Sequence, residues 1–382
     1  MMISFINLNM LLADILRVSM NTCPKKMING PCGGYIGTLC EDRSLKCVWI
    51  LAYFAASKRG SLDKMFTLKL DPGFRVNSYR PVARRRRGAV DMTLSGRSFL
   101  VYEYTPKPYS GPLDIGDEIS KLVGVYSGVD FVDNPGGYPI PSSLPYAVAA
   151  KSIYRDLHVS IQITARNRDR SQVVSDVLAA SLAGLDAIVA TTGDLQDGGK
   201  GVWDLDAPRI IYLARLVLDL GLDHMGRRVG IGGEPMAIAG SININAEPLE
   251  PEILKIRVKI DAGAEFFITQ PVVDIDRLYR FYRMARAILG NIDEIPIMIG
   301  IIPITSRRIA SFFENKVGIK IPEKILEILR REKIDRDAII KANLDLIESN
   351  LKRISHNAFY ISAFGDHSLG VEIGKVVRSI IG

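Results

Sequence analysis

The sequence predicts an α/β protein that forms a (β/α)8 TIM barrel, preceded by a small N-terminal cysteine-rich metal-binding domain. From Ser98 onward, eight short apolar segments alternate with helical patterns over about 285 residues. No glycine-rich turn follows the first of these segments, where a doubly wound nucleotide-binding sheet carries one. All 4 cysteines precede residue 48. These observations favour a closed barrel with a separate N-terminal unit.

The predicted strands are short and mostly continuous in apolar residues, as is typical of parallel strands buried on both faces. Helices with recognisable ends separate them. Ser171 is placed to cap a helix over Gln172–Ala183, and Glu250 begins another helix with acidic side chains at its positive end. In chain order, the predicted strands are Phe99–Tyr104, Val129–Val132, His158–Thr164, Ala187–Thr191, Val229–Gly232, Phe266–Thr269, Ile297–Ile301 and Ala358–Ser362.

The domain organisation follows from composition and charge. We predict a cysteine-rich domain over residues 1–62, an Arg-rich linker or extension over 63–96, and the barrel over 97–382. The net charge is +7, and six positive charges lie in one acid-free stretch at Arg75, Arg80 and Arg84–Arg87. Without a recognition motif, this stretch favours a solvated linker over a nucleic-acid site. Because the apolar segments are too short to span a bilayer, we expect a cytoplasmic protein with no membrane partner.

The four cysteines have a spacing that suggests metal ligation. Cys23, Cys32, Cys40 and Cys47 follow the pattern C-x8-C-x7-C-x6-C. Soft thiolates confined to one segment of a cytoplasmic protein favour a metal centre over a disulfide framework. The spacing matches neither zinc-ribbon pairs nor the common ferredoxin run, so both zinc and an iron–sulfur cluster stay open. Disulfides or free thiols are the alternative.

Polar residues occur at the carboxyl ends of the predicted strands, where TIM-barrel chemistry takes place. Glu103 lies between two tyrosines, and partial desolvation there raises a carboxyl pKa and suits a general acid. Asp194 follows strand four, and Gln270 offers an amide that can contact a heterocycle edge. We interpret these three side chains as lining one pocket. Because the barrel has no serine elbow and no cysteine nucleophile, the pattern favours a bound cofactor.

Several motifs occur in an order that resembles the methylenetetrahydrofolate reductase family over residues 97–382. They are Tyr102-Glu103-Tyr104-Thr105-Pro106, Thr192-Gly193-Asp194, Lys259-Ile260-Asp261-Ala262-Gly263-Ala264 with Phe267-Ile268-Thr269-Gln270, and Gly300-Ile301-Ile302-Pro303-Ile304. The N-terminal segment, with Cys23-Pro24-Lys25, Asn29-Gly30-Pro31-Cys32-Gly33-Gly34 and Cys47-Val48-Trp49, resembles the cysteine-rich domain associated with the acetogen-type reductase.

The resemblance implies a flavin, FAD or alternatively FMN, and reduction of 5,10-methylenetetrahydrofolate or an analogous tetrahydropterin to its 5-methyl form. It implies Glu103 as the general acid, Asp194 as the acid near flavin and pterin, and Gln270 as a pterin contact. Electrons come from NAD(P)H or an electron-transfer protein, and a homo-oligomer is expected. A methyl-transfer barrel and a non-catalytic electron-transfer or assembly subunit are the alternatives. The positions implied at the flavin are His158, Thr192, Gly193, Asp194 and Lys259.

Overall fold

The computed structural model describes residues 11–62, 65, 68–81, 96–108, 113–195, 201–230 and 236–382. Its eight strands are parallel and form a closed barrel in which each strand pairs with the next and β8 pairs with β1. The predicted (β/α)8 fold is therefore confirmed. The strands are β1 (Phe99–Tyr104), β2 (Gly128–Phe131), β3 (His158–Thr164), β4 (Ala187–Thr191), β5 (Ala237–Ile242), β6 (Phe266–Pro271), β7 (Ile297–Ile301) and β8 (Ala358–Ser362).

Helices precede the barrel and cover its outer face. Short π turns at Leu216–Leu220 and Phe313–Val317 continue the helices Ala207–Arg215 and Arg307–Phe312. None of the described helices is long and apolar enough to cross a membrane. The helices are α1 (Leu11–Thr22), α2 (Val48–Lys58), α3 (Gly116–Ser120), α4 (Ser143–Ile153), α5 (Arg170–Leu182), α6 (Ala207–Arg215), α7 (Glu250–Asp261), α8 (Ile275–Leu289), α9 (Arg307–Phe312), α10 (Glu323–Arg330), α11 (Arg336–Leu351) and α12 (His367–Ile381).

The prediction of the fifth strand at Val229–Gly232 is wrong. The strand that pairs with β4 is Ala237–Ile242, and residues 231–235 lie outside the described residues. Small side chains explain why β5 fits there. A Cβ atom at Gly240 would lie 2.9 Å from Lys259 Cδ and 3.1 Å from Phe267 Cε1. A prediction based on apolar runs alone misses this strand, because the close packing of β5 against α7 requires small residues such as Gly240.

The interior of the barrel has an apolar half and a polar half. Side chains alternate along each strand, so residues of one parity point inward. Those toward the amino ends form an apolar cluster: Phe99, Val101, Ala187, Val189, Ala237, Ala239, Phe266, Ile268, Met298 and Ala358. The next inward positions toward the carboxyl ends are polar: Glu103, Thr191, Ser241 and Ser362. The polar interior therefore lies at the mouth, where the strands end.

The N-terminal segment packs directly on the barrel. Its small core contains Met27 and Trp49, and it also takes in Val258 from α7 and Leu68 from the predicted linker. Farther along that linker, the rings of Phe74 and Tyr212 lie 6.1 Å apart. The described part of the 63–96 segment is thus packed against the protein, and the Arg84–Arg87 run lies outside the described residues.

Candidate functional site

Glu103 lies at the barrel mouth, half-buried on the inward face of β1. Its Oε1 accepts a hydrogen bond from Ser362 Oγ at 2.6 Å, and its Oε2 accepts one from Tyr360 Oη at 2.9 Å. Burial raises the pKa of Glu103, these two hydrogen bonds oppose the rise, and the charge of Asp130 adds to it. Glu103 therefore keeps its proton to a higher pH than an exposed glutamate does.

Asp130 lies on β2, directly opposite Glu103 on β1, and is fully buried. Its Oδ2 lies 2.7 Å from Tyr360 Oη and 3.0 Å from Gln162 Nε2, and Ser160 Oγ donates to its Oδ1. Burial raises the pKa of Asp130, and these hydrogen bonds offset part of the rise. The sequence interpretation did not identify this residue. What could have identified it is a carboxylate inside an apolar strand, at the position that pairs with Glu103 on the neighbouring strand.

Asp194 follows β4 in a loop that turns at Gly193, where φ is +82°. Its Oδ2 accepts a hydrogen bond from the Gly136 backbone at 2.9 Å. The carboxylate is exposed to solvent but lies in a crowded cleft, so partial desolvation and the charge of Glu41 raise its pKa while Lys25 opposes the rise. Because solvent reaches this carboxylate, a bound ligand can reach it as well.

Gln270 and Thr191 provide further polar groups at the mouth. Gln270 is half-buried at the carboxyl end of β6, where the pairing register with β7 shifts between Ile268 and Pro271. Thr191 Oγ1 is buried without a hydrogen-bond partner in the part of the chain that the structure describes. An unpaired buried hydroxyl is unfavourable unless a ligand completes it. The Thr191 hydroxyl is therefore a point at the mouth where a polar ligand would gain a hydrogen bond.

Two of the residues predicted to contact flavin, His158 and Lys259, do not face the mouth. His158 is the first residue of β3, edge-on to Phe99 with ring centroids 5.3 Å apart. At about 3.3 Å per residue, β3 places it roughly 20 Å from the carboxyl end of the strand. Lys259 is buried between α7 and the outer face of β5, and its Nζ donates to the Ser241 carbonyl. Burial and, secondarily, Lys255 lower the pKa of Lys259 to about 7.

The remaining predicted flavin contacts lie in the loop after β4. Thr192 Oγ1 accepts a hydrogen bond from the Ala207 backbone at 3.4 Å, so this hydroxyl ties the loop to the start of α6. A Cβ atom at Gly193 would lie 3.0 Å from Arg166 Cβ and 3.2 Å from Thr164 Cβ. The loop therefore passes so close to the end of β3 that a glycine is required there. This packing fixes the position of Asp194 at the mouth.

The N-terminal segment contributes a charged pair to the same loop. Lys25 Nζ donates to the Gly193 carbonyl at 2.6 Å and forms a buried ion pair with Glu41. Glu41 Oε1 in turn accepts from the Leu195 backbone at 2.6 Å. Both side chains of the pair are almost fully buried. The segment that carries the cysteines therefore holds the loop on either side of Asp194.

The four cysteines border one small cavity, and all four are free thiols. Within the described ranges, no group of three or more His, Cys, Asp or Glu side chains is arranged to hold a metal ion. The predicted zinc or iron–sulfur site at Cys23, Cys32, Cys40 and Cys47 is therefore not supported. Burial raises the pKa of the Cys47 thiol to about 12 and also raises that of Cys32 and Cys40.

A closed barrel with acidic side chains at its carboxyl face is the architecture of TIM-barrel enzymes. Residues 89–376 match the family described as "Methylenetetrahydrofolate reductase". The chain belongs to this family. Residues 11–72 match a second family, described as "Methylene-tetrahydrofolate reductase C terminal", which here precedes the barrel.

Individual relatives are distant. A "Probable methylenetetrahydrofolate reductase (NADPH)" of Caenorhabditis elegans is 26% identical over 212 residues, covering 55% of this chain and 30% of that protein. A "Methylenetetrahydrofolate reductase 2" of Schizosaccharomyces pombe is 22% identical over 281 residues, covering 70% of this chain and 42% of that protein. The chain thus spans less than half the length of these curated relatives.

A solved structure shares the fold. It is an uncharacterized protein from Clostridium thermocellum that binds two copies of 5-methyl-5,6,7,8-tetrahydrofolic acid. The TM-score is 0.55 at 16% identity, and the match covers 77% of this chain and 100% of that one. This likeness independently supports the barrel.

Proposed function

We propose that this protein reduces a methylene group carried by tetrahydrofolate or an analogous tetrahydropterin, giving the 5-methyl form in a flavin-dependent reaction. The observation that carries the proposal is Glu103, a half-buried carboxyl held by Ser362 and Tyr360 at the barrel mouth. Family membership supports the reaction class. Binding of methyltetrahydrofolate by the structurally similar Clostridium thermocellum protein supports a folate substrate.

In this proposal, Glu103 donates a proton to a ring nitrogen of the substrate and thereby promotes ring opening to a cationic iminium. A positioned acid of this kind contributes roughly 10²–10⁴-fold to the rate. Asp194 stabilises the iminium with its negative charge, and Gln270 contacts the pterin edge. The three residues thus have separate proposed roles: protonation for Glu103, charge stabilisation for Asp194 and substrate binding for Gln270.

A bound flavin, FAD or FMN, supplies the hydride. The side chains proposed to hold it are the unpaired hydroxyl of Thr191 and the loop residues Thr192, Gly193 and Asp194. His158 and Lys259 are left out because they do not face the mouth. The proposal includes NAD(P)H or an electron-transfer protein as donor and a homo-oligomer in the cytoplasm. It also takes residues 11–72 as the companion domain of the acetogen-type reductase.

The test begins with the intact chain purified under anaerobic conditions. We expect bound flavin, identified after release, to be bleached by dithionite and reoxidised by methylenetetrahydrofolate with formation of one methyltetrahydrofolate per flavin. A protein that takes up neither FAD nor FMN contradicts the proposal. Consumption of methyltetrahydrofolate without flavin oxidation would instead support the methyl-transfer alternative. A protein that binds flavin but neither oxidises it with substrate nor transfers methyl groups would support the electron-transfer or assembly subunit.

A further inference from the structure

The phenol of Tyr360 joins the two buried acids of the barrel mouth. Its Oη lies 2.9 Å from Glu103 Oε2 and 2.7 Å from Asp130 Oδ2. A third neighbour, Gln162 Nε2, approaches at 3.0 Å and also contacts Asp130 Oδ2 at 3.0 Å. The Tyr360 hydroxyl, on β8, thus contacts one side chain from each of β1, β2 and β3.

Counting protons shows that this arrangement is incomplete if both acids are ionised. A phenol has one proton to donate, an ionised carboxylate can only accept, and the Gln162 amide uses its own protons. Tyr360 can then donate fully to Glu103 or to Asp130, but not to both. One further proton, placed on either carboxyl group, satisfies the second contact. Two ionised carboxylates in a water-poor interior would also repel each other.

We propose that Glu103 and Asp130 share one proton through Tyr360, and that Asp130 is a positioning residue which keeps Glu103 in its acid form until substrate binds. This inference rests on the proposed function for its purpose, but the shared proton itself is a property of the protein without substrate. Nothing in the family match or the relatives assigns a role to Asp130.

The proton has a definite path during turnover. The O–H bond of Glu103 breaks as an N–H bond forms on the substrate nitrogen, and the ring C–N bond then breaks with its electron pair moving to that nitrogen. Glu103 is left as a carboxylate that still accepts from Tyr360 and Ser362. Because Asp130 is fully buried and Glu103 is only half-buried, solvent returns the proton to Glu103 at the mouth.

Other groups around Glu103 leave this pair undisturbed. Among the described residues, the titratable groups that face it are Asp130 from β2 and Tyr360 from β8. Those from β3, Ser160 and Gln162, are neutral. The adjacent Tyr102 points to the helical side of β1, where its Oη lies 3.2 Å from His367 Nδ1.

The experiment follows the carbonyl stretch of protonated carboxylic acids by infrared difference spectroscopy while the intact, substrate-free protein is titrated. We expect one such acid in the wild type at neutral pH. Asp130→Asn removes the neighbouring negative charge and should move the midpoint about one pH unit lower, a tenfold change in the acid-to-carboxylate ratio. Tyr360→Phe removes a hydrogen bond to the ionised form and should move the midpoint higher.

Asp186→Asn is the matched control, because Asp186 directly precedes β4, at the end of the barrel away from the mouth, and pairs with Lys151. It should leave the midpoint unchanged. A wild-type protein without a neutral-pH carboxylic acid overturns the proposal, as does an unshifted midpoint in folded Asp130→Asn. If Asp130→Asn fails to fold, the direction of the Tyr360→Phe shift decides the matter. The titration needs no turnover, so a failure of the proposed reductase activity is seen separately in the flavin assay.

Discussion

Lys25 donates a hydrogen bond to the carbonyl of Gly193, so the residue next to Asp194 is held by a side chain 168 positions away in sequence. The same ammonium pairs with Glu41, which lies 3.8 Å from the sulfur of Cys32. A continuous set of polar contacts thus connects the cysteine-lined cavity to the mouth of the barrel. The N-terminal segment is part of the candidate site and not an appended module.

The Lys25–Glu41 pair predicts a large stability effect. In Lys25→Met, the carboxylate of Glu41 stays buried without its cation, and breaking a buried pair in this way costs about 3–5 kcal/mol. Denaturant unfolding should show this loss, and Lys25→Met/Glu41→Gln should recover part of it. Lys352→Met breaks an exposed pair with Glu348 and serves as the control, with an expected loss below about 1 kcal/mol. Equal losses in both single variants would contradict the structural role of Lys25.

Glu103→Gln tests the proposed acid. An amide keeps the shape and the contacts to Tyr360 and Ser362 but has no acidic proton to give. We expect normal flavin content and a roughly 10²–10⁴-fold slower oxidation of reduced flavin by methylenetetrahydrofolate. Stopped-flow absorbance of the single half-reaction measures this directly. Unchanged rates would remove Glu103 from the mechanism.

Thr191→Val separates a ligand contact from a structural one. Its hydroxyl is unpaired in the described structure, so the isosteric valine should leave the ligand-free unfolding free energy unchanged or higher. Loss of one hydrogen bond to flavin should weaken flavin affinity about tenfold. Thr164→Val is the matched variant, because its hydroxyl donates to Asp133 at 2.8 Å. That change should destabilise the protein by about 1–3 kcal/mol. A destabilised Thr191→Val with unchanged flavin affinity would reverse this assignment.

Lys259 predicts a pH-dependent stability difference. Burial lowers the pKa of Lys259 in the folded protein from the ordinary lysine value of 10.5 to about 7, so between these two pH values the unfolded chain binds more protons than the folded one. Stability from this group therefore rises with pH through that window and is lowest below it. The stability difference between Lys259→Met and the wild type should therefore favour the variant more at pH 6 than at pH 10. Melting temperatures across this range test the sign, and a difference that does not vary with pH would contradict it.

The flavin content of Lys259→Met gives a second result from the same variant. Because Lys259 lies behind β5 and not at the mouth, we expect unchanged flavin binding. The family resemblance, which implies that Lys259 contacts the flavin, predicts weaker flavin binding in this variant. A large loss of flavin in a folded protein would support the sequence-based assignment over the observed geometry.

Strand positions were largely predictable because hydrophobic runs of five to seven residues carry their own signal; β1, β3, β4, β7 and β8 agree at both ends. Strand ends in a barrel converge, and for this reason Glu103 and Gln270 could be assigned to one mouth. Asp130 could not, since it lies in a short apolar run and its partners Gln162 and Tyr360 come from distant parts of the chain. Register and closure, which no local pattern encodes, bring them together.

For the four cysteines, the sequence predicted more than the structure supports. Close spacing along the chain predicted a shared metal, and the four thiols do border one cavity. Their ligand geometry depends on how the backbone turns between them, which spacing does not determine. His158 is the first residue of β3 and therefore lies at the base of the barrel, because the position of a residue along its strand decides whether it is near the mouth or near the base.

The packing of the N-terminal segment has a consequence for anyone who would work with the barrel alone. Asn29 donates to Asp206, and Asn243 donates to the Gly33 carbonyl. Val258 lies within the small core around Trp49. Cutting the chain near residue 97 would uncover this apolar side chain and leave Asp206 and Asn243 without those partners. The shortened protein should therefore be prone to aggregation, and a chain that keeps the N-terminal segment is the sound starting point for biochemistry.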